Sequence, residues 1–329
     1  MQSEDRTAKS GSAWDFAGDD MVGDRKGQED YHAFDQLKDG SGLLAILADG
    51  MGGHEAGEVA SRVAVEAFSH RFGDHSADST GARLGAALEA ANAMLASVIQ
   101  NEPEREGMGC TLLAAHISKA GLIWISVGDS PLYLVRKGKI RQLNQDHSMA
   151  PQIQARLKEG KITAAEAQDH PHRNVLLSAL TGDEGPELID CPNQTLRLMM
   201  GDVVILASDG LQTLSEAEIV SVIQTDGGAK EIANRLLSAV TEKRKARQDN
   251  ATVQIIRVDG AIAHRSSGRR KILTLALLAA TALVTVAIAL DVRANDPLGI
   301  CQAISLPLKA ISTESSFNLC ADGVKHSGR

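Results

Sequence analysis

Four aspartates stand where apolar runs stop. Asp49 ends "LLAILA" and opens the glycine-rich "DGMGGHEAG", Asp129 follows "LIWISVG", Asp209 follows "VVILAS", and Asp249, with Asn250, directly precedes "ATVQII". A turn explains any single Asp-Gly pair. Four acids on segments distant in sequence, each at a strand end, point instead to convergence on one place in the fold. Carboxylates that meet repel one another unless something positive lies between them. A cluster of aspartates with no accompanying histidine or thiolate favours the hard cations Mg2+ and Mn2+ over zinc or copper. The glycines beside Asp49 and Asp209 let the backbone come close to an ion.

The elements that must position these acids are partly readable. Apolar runs of this length, bounded by glycine and aspartate, are expected as buried strands. Between them, Glu58 to His70 places Val59, Val63 and Ala67, and also Ala60, Ala64 and Phe68, at four-residue spacing, which predicts a helix with one apolar face. A second, alanine-rich helix is expected from about Ala82 to Ile99, and a third from Ala229 to Lys245. Ser215 with Glu218, and Thr163 with Glu166, have the capping-box pattern that opens a helix. "LIWISVGDSPLYLVR" reads as two adjacent strands joined through a short turn. The composite favours antiparallel sheets flanked by helices over a doubly wound parallel sheet.

The 329 residues are 43% apolar and 3% aromatic, which suits a globular chain with a large core. Net charge is −8, and no basic stretch is interleaved with aromatics, so nucleic acid is excluded as an expected partner. The N-terminal "MQSEDRTAKSGSAWDFA" lacks the basic start and apolar core of a secretion signal. Residues 272–290, "ILTLALLAATALVTVAIAL", carry no charge and are long enough to cross a hydrocarbon core of about 30 Å. Arg265, Arg269, Arg270 and Lys271 precede that segment, whereas Asp291, Arg293 and Asp296 follow it. Positive charge on the inner flank places the N-terminal body in the cytoplasm and the tail outside. The expected organisation is a polar tail at 1–12, a body at 13–258, a basic linker at 259–271, a single transmembrane helix at 272–290 and an extracytoplasmic tail at 291–329. Cys301 and Cys320 fall in that tail, where oxidation permits a disulfide between them. Cys110 and Cys191 have no CxxC spacing and are expected as small buried apolar residues.

Taken in order, "GDRKGQEDYHAF", "LADGMGGHEAGEVAS", "GMGCTLLAA", "ISVGDSPLYLVRKGKIRQLNQDHS", "HPHRNVLLSAL", "VVILASDGL" and "DNATVQII" resemble the metal-dependent serine/threonine protein phosphatases of the type 2C family, in its bacterial form. The resemblance covers Ala13 to Val258. It implies an α+β fold, a sandwich of two antiparallel β-sheets flanked by helices, with two Mn2+ or Mg2+ ions in a cleft at one end. It also implies that Asp49 bridges the ions, that Gly50 lends a carbonyl, and that Asp209 and Asp249 complete the first ion's ligands. Asp30, with Glu29 beside it, resembles the acid that serves the second ion directly or through water. Arg25 occupies the position of the arginine that clamps the substrate phosphate, a task suited to its paired donors. Asp129 resembles the acid that holds a third, weaker metal. Asn250 either orients Asp249 or caps a turn.

The implied reaction is direct attack of a metal-activated bridging water on phosphoserine or phosphothreonine, with no phosphoenzyme. The implied partners are phosphorylated proteins and a serine/threonine kinase whose action is reversed at the membrane. An inactive relative that only docks phosphoproteins would lack a metal ligand, and none is missing. Where animal members have a histidine proposed as general acid, this chain has Met51, as bacterial members commonly do. His54 lies three residues further on, and a metal-bound water is the preferred proton source. Cys110 and Pro131 replace the usual threonine and arginine. Residues 145–183 resemble the mobile flap that shapes substrate access, with His170 and His172 in structural roles.

Overall fold

The computed structural model describes residues 14–37, 40, 42–74 and 79–259. The apolar segment 272–290 and the Cys301 and Cys320 pair lie outside those residues.

The chain begins with β1 (Trp14–Met21), β2 (Asp30–Gln36) and β3 (Leu43–Met51), then two long helices, α1 (His54–Gly73) and α2 (Thr80–Asn101). A run of strands follows: β4 (Gly109–Cys110), β5 (Leu112–Ser118), β6 (Gly121–Val127), β7 (Leu132–Arg136) and β8 (Lys139–Gln142). Two short helices, α3 (Ala150–Lys158) and α4 (Ala164–Gln168), belong to a long connection that leads to β9 (Val203–Ala207). The described chain closes with α5 (Glu216–Ile223), α6 (Ala229–Glu242) and β10 (Ala251–Val258). One sheet has the order β1-β10-β9-β7-β8, the other β2-β3-β5-β6 with β4 against β3. Every pairing is antiparallel.

The apolar runs are continuous because both faces of each central strand are covered. On β3, Leu44, Ile46 and Ala48 meet α1 and α2, whereas Leu43 and Ala45 turn into the space between the sheets. On β9, Val203, Ile205 and Ala207 face α5 and α6, and Val204 and Leu206 face inward. Three cores result, and the middle one is sealed by Phe16 against Phe34, with ring centroids 4.9 Å apart. By length and composition α2 could cross a membrane. Its Leu84, Ala87, Leu88, Ala91 and Leu95 are instead buried in the core beside α1.

The helices run a few residues beyond their expected ends, apart from α6, which stops at Glu242. Both capping boxes form as expected: Ser215 and Glu218 open α5, and Thr163 and Glu166 open α4.

The expected hairpin across "LIWISVGDSPLYLVR" is corrected by the structure. Strand β6 belongs to one sheet and β7 to the other, so the Gly128–Pro131 connection crosses the sandwich. Gly128 has φ +100, and a Cβ there would meet Thr111 Cγ2 at 2.6 Å. Local alternation cannot show which sheet the second strand joins, because a crossover and a hairpin share the same turn residues.

Antiparallel register gives the sandwich two unlike ends. Asp30 lies opposite Asp49, the end of β9 and the start of β10 lie side by side, and β6 ends there too. The start of β9 and the end of β10, where Gly201 N–H donates to Val258 O at 2.9 Å, form the other end.

Candidate active site

At the first end the strand termini surround a cleft of about 650 Å³ lined by Arg25, Glu29, Asp49, Asp129, Asp209 and Asp249, together with Gly50 and Met51. The four aspartates come from four separate strand ends, with Glu29 just before the start of β2. Asp49 is fixed on both sides of its peptide by Thr111: Asp49 N–H donates to Thr111 Oγ1 at 3.0 Å, and Thr111 N–H donates to Asp49 O at 2.9 Å. Thr111 Oγ1 is itself 2.8 Å from Ser130 Oγ, beside Asp129. Gly50 N–H donates to Glu29 O at 3.1 Å. A Cβ on Gly50 would lie 2.1 Å from Gly57 O, and one on Gly210 would lie 2.0 Å from Asn250 O. The glycines after Asp49 and Asp209 are therefore required by close backbone approach.

Asn250 does more than cap a turn. Its Oδ1 accepts from Glu29 N–H at 2.8 Å, and its Nδ2 donates to Val22 O at 2.8 Å and Gly27 O at 3.0 Å. It thereby clasps the loop that carries Arg25 and Glu29, while its own N–H donates to Asp249 Oδ1 at 2.8 Å. Arg25 Nη2 donates to Asp249 Oδ2 at 2.5 Å and its Nη1 lies 3.7 Å from Glu29. Burial works against the charge on Arg25, but Asp249, Glu29 and Asp49 hold its pKa above the ordinary arginine value.

Asp30 is placed differently from the other acids. It is buried behind Asp49, and its Oδ2 accepts from Ser208 Oγ and Thr252 Oγ1, both at 2.7 Å. Of the adjacent pair, Glu29 lines the cleft and Asp30 does not. Sequence could not separate them, because the first residue of a strand can face either way.

Burial raises the pKa of Asp49, and repulsion from Asp30, Asp209, Asp129 and Asp249 adds to it. Burial also lifts Asp129 to about 7, with Asp209 and Asp146 contributing. Asp209 is raised by burial and by Asp249. Asp209 Oδ1 and Asp30 Oδ1 are buried without a hydrogen-bond partner. Such a site is short of positive charge and of donors, and its all-oxygen composition suits Mg2+ or Mn2+. Among the described residues no three acidic, histidine or cysteine side chains close on one point by themselves. Hard cations that keep several waters and accept backbone carbonyls do not need such a closed cage. The residues present fit that kind of centre, with Gly50 on the cleft wall.

Met51 lines the cleft and offers no proton. The side chain of His54 lies outside the described residues. His172 N–H donates to His170 Nδ1 at 3.2 Å, and the two rings sit 5.8 Å apart in the 145–183 segment, away from the acids lining the cleft. That segment adds Asn174, Leu176 and Ser178 to the cleft wall. Its backbone is closed on itself by Leu177 N–H to His147 O at 2.7 Å and tied to the body by Leu180 N–H to Cys110 O at 2.9 Å. Cys110 is fully buried with its thiol pushed above the ordinary range by burial, and Cys191 is half-buried. Neither is placed to act as a nucleophile.

The residues missed from sequence are the ones that hold the acids: Thr111, Ser208, Gln248 and Thr252. Ser208 and Thr252 each lie within three residues of a motif aspartate, so adjacency was the available signal.

A family model described as Protein phosphatase 2C matches residues 18–250. Over 223 residues the chain is 39% identical to the serine/threonine protein phosphatase PstP of Mycobacterium tuberculosis, covering 67% of this chain and 41% of that relative's length. The chain thus spans less than half of PstP. It is 33% identical over 221 residues to a serine/threonine phosphatase stp of Listeria welshimeri, covering 65% of this chain and 83% of that one. The solved structure of the M. tuberculosis phosphatase PstP/Ppp superposes with a TM-score of 0.62 at 33% identity, over 75% of this chain and 99% of that one. The PstP catalytic domain in complex with two manganese ions superposes with a TM-score of 0.61, at 33% identity over 75% and 98% of the two chains.

Proposed function

This chain belongs to the protein phosphatase 2C family, and from that premise we propose that it hydrolyses phosphoserine and phosphothreonine on proteins. One observation carries the reading: Asp49, Asp129, Asp209 and Asp249, from four separate strand ends, line one cleft together with Arg25. Two Mn2+ or Mg2+ ions, held by Asp49, Gly50 O, Asp209 and Asp249 with Glu29 at the rim, would supply an activated water and neutralise charge on the phosphoryl oxygens. The protein's own groups do the rest. Thr111 fixes the backbone of Asp49 at the strand end, so its carboxylate is carried to the cleft before substrate arrives. Arg25 presents a planar fork on a loop clasped by Asn250, and its half-exposed guanidinium is positioned to take phosphate oxygens. Leu176 and Leu177 of the 145–183 segment give the cleft an apolar rim that limits water around the leaving hydroxyl. Asp129, whose burial favours its neutral form, is the group that would hold a third cation.

The charge-free segment 272–290 and the basic residues before it support a single-pass anchor that keeps the catalytic body in the cytoplasm, where it would oppose a serine/threonine kinase at the membrane. The deciding experiment uses the full chain in detergent with a phosphothreonine peptide and Mn2+, Mg2+ or chelator. Turnover is expected only with metal and is expected to fall at least about a hundredfold in Asp49→Asn and Asp209→Asn. A folded protein that binds the peptide but shows no turnover with either metal would overturn the enzymatic reading.

A further inference from the structure

Beside the cleft lies a second recess of about 290 Å³ that shares Asp129, Asn174, Asp209 and Asp249 with it. Cations stand on two of its sides: Arg173, from the connection after α4, and Lys245 and Arg247, from the loop between α6 and β10. Among the described residues none of these three forms a salt bridge; Lys245 Nζ donates to Thr213 Oγ1 at 3.4 Å, and its charge acts on Asp209 from a distance. Three of the recess's acids are those assigned above to cations; the fourth, Asp146, accepts from Ser148 N–H at 2.9 Å.

The backbone beneath the cations is unusual. Arg244 and Arg247 have φ of 49 and 59, and the one other described non-glycine residue with positive φ is Lys137. A side chain held in the left-handed region persists only where its surroundings enforce it. Here the next residue supplies the force. Gln248 is buried, accepts from Thr213 Oγ1 at 2.8 Å, donates to Gly210 O at 3.3 Å, and its N–H donates to Asp24 Oδ2 at 3.1 Å. Pinning Gln248 fixes Arg247 on the recess wall at a local conformational cost.

We propose that this recess is an anion subsite, taking a second acidic group, carboxylate or phosphate, that a phosphorylated peptide carries near its reacting residue. The proposal rests on the phosphatase reading of the adjoining cleft. Exposed cations attract such a group modestly each and additively when they converge, and the attraction weakens with salt.

The test compares three phosphothreonine peptides on the full chain in detergent: one with neutral neighbours, one with glutamates, and one with a second phosphothreonine. Turnover is followed alongside binding by fluorescence anisotropy. The acidic peptides are expected to exceed the neutral one in kcat/KM by about three- to tenfold, through KM, with the ratio shrinking as ionic strength rises. In Lys245→Gln/Arg247→Asn, where asparagine tolerates the left-handed backbone, the ratio should collapse towards one. Whichever acidic peptide shows the larger ratio identifies the anion. Equal kcat/KM for all three peptides, or a ratio that survives in the double variant, overturns the subsite. Absence of turnover with every peptide overturns the phosphatase reading instead, and the anisotropy ratios still decide the anion preference.

Discussion

At the scale of single residues, the contacts of Arg25 carry the most consequence. Its guanidinium closes on Asp249, an acid that the metal reading needs for a cation. A cation in the cleft would compete for Asp249 and release the fork towards substrate. Lysine keeps the charge but cannot make paired bonds, so Arg25→Lys should lower kcat/KM for a phosphothreonine peptide about ten- to a hundredfold while the melting temperature stays within a few degrees. Steady-state kinetics with calorimetry would check it; an unchanged kcat/KM would remove Arg25 from phosphate binding. The neighbouring pair Glu29 and Asp30 shows what types alone conceal. Both are acids in one motif, yet one lines the cleft and the other is enclosed by two hydroxyls.

At the scale of elements, strand ends position the acids, and the strands are held together at that end by buried polar bonds. Ser208 Oγ donates to Asp30 and accepts from Thr252 N–H at 2.9 Å, so one hydroxyl links β2, β9 and β10. Ser208→Ala leaves a buried carboxyl with one donor fewer and a buried N–H with none, and should cost about 1–3 kcal/mol in urea unfolding. Ser215→Ala removes only the cap of α5, whose Ser215 Oγ accepts from Glu218 N–H at 3.4 Å, and should cost about 1 kcal/mol without affecting turnover. Equal effects of the two on activity would contradict the link between Ser208 and the site. The strands and their terminal acids were legible because two-sided burial writes itself as unbroken apolar runs. The capping boxes were legible because they are local. The crossing from β6 to β7, the inward turn of Asp30 and the clasp made by Asn250 were not, since each depends on which distant segment lies opposite.

At the scale of the whole molecule, the acids burden the metal-free fold. Asp129 holds its proton in the folded state up to about pH 7, whereas an ordinary aspartate in the unfolded chain releases it near 3.8, and Asp49 shifts in the same direction. Between those values the folded protein binds more protons than the unfolded one, so this contribution to stability is present below about pH 4 and is lost as pH rises through about 7. Metal-free protein should therefore melt lower at pH 8 than at pH 5.5, and saturating Mn2+ should raise the pH 8 value most, since a ligand bound only to the folded state stabilises it. Differential scanning calorimetry with chelator and with Mn2+ would check both; a metal-free melting temperature that climbs from pH 5.5 to 8 would contradict the burden. Finally, β10 begins beside Asp249 at the cleft and ends at Val258 on the opposite end, a strand of about 26 Å. A fluorescent reporter carried on residue 259 would therefore sit a full strand's length from the catalytic mouth and leave it open to substrate.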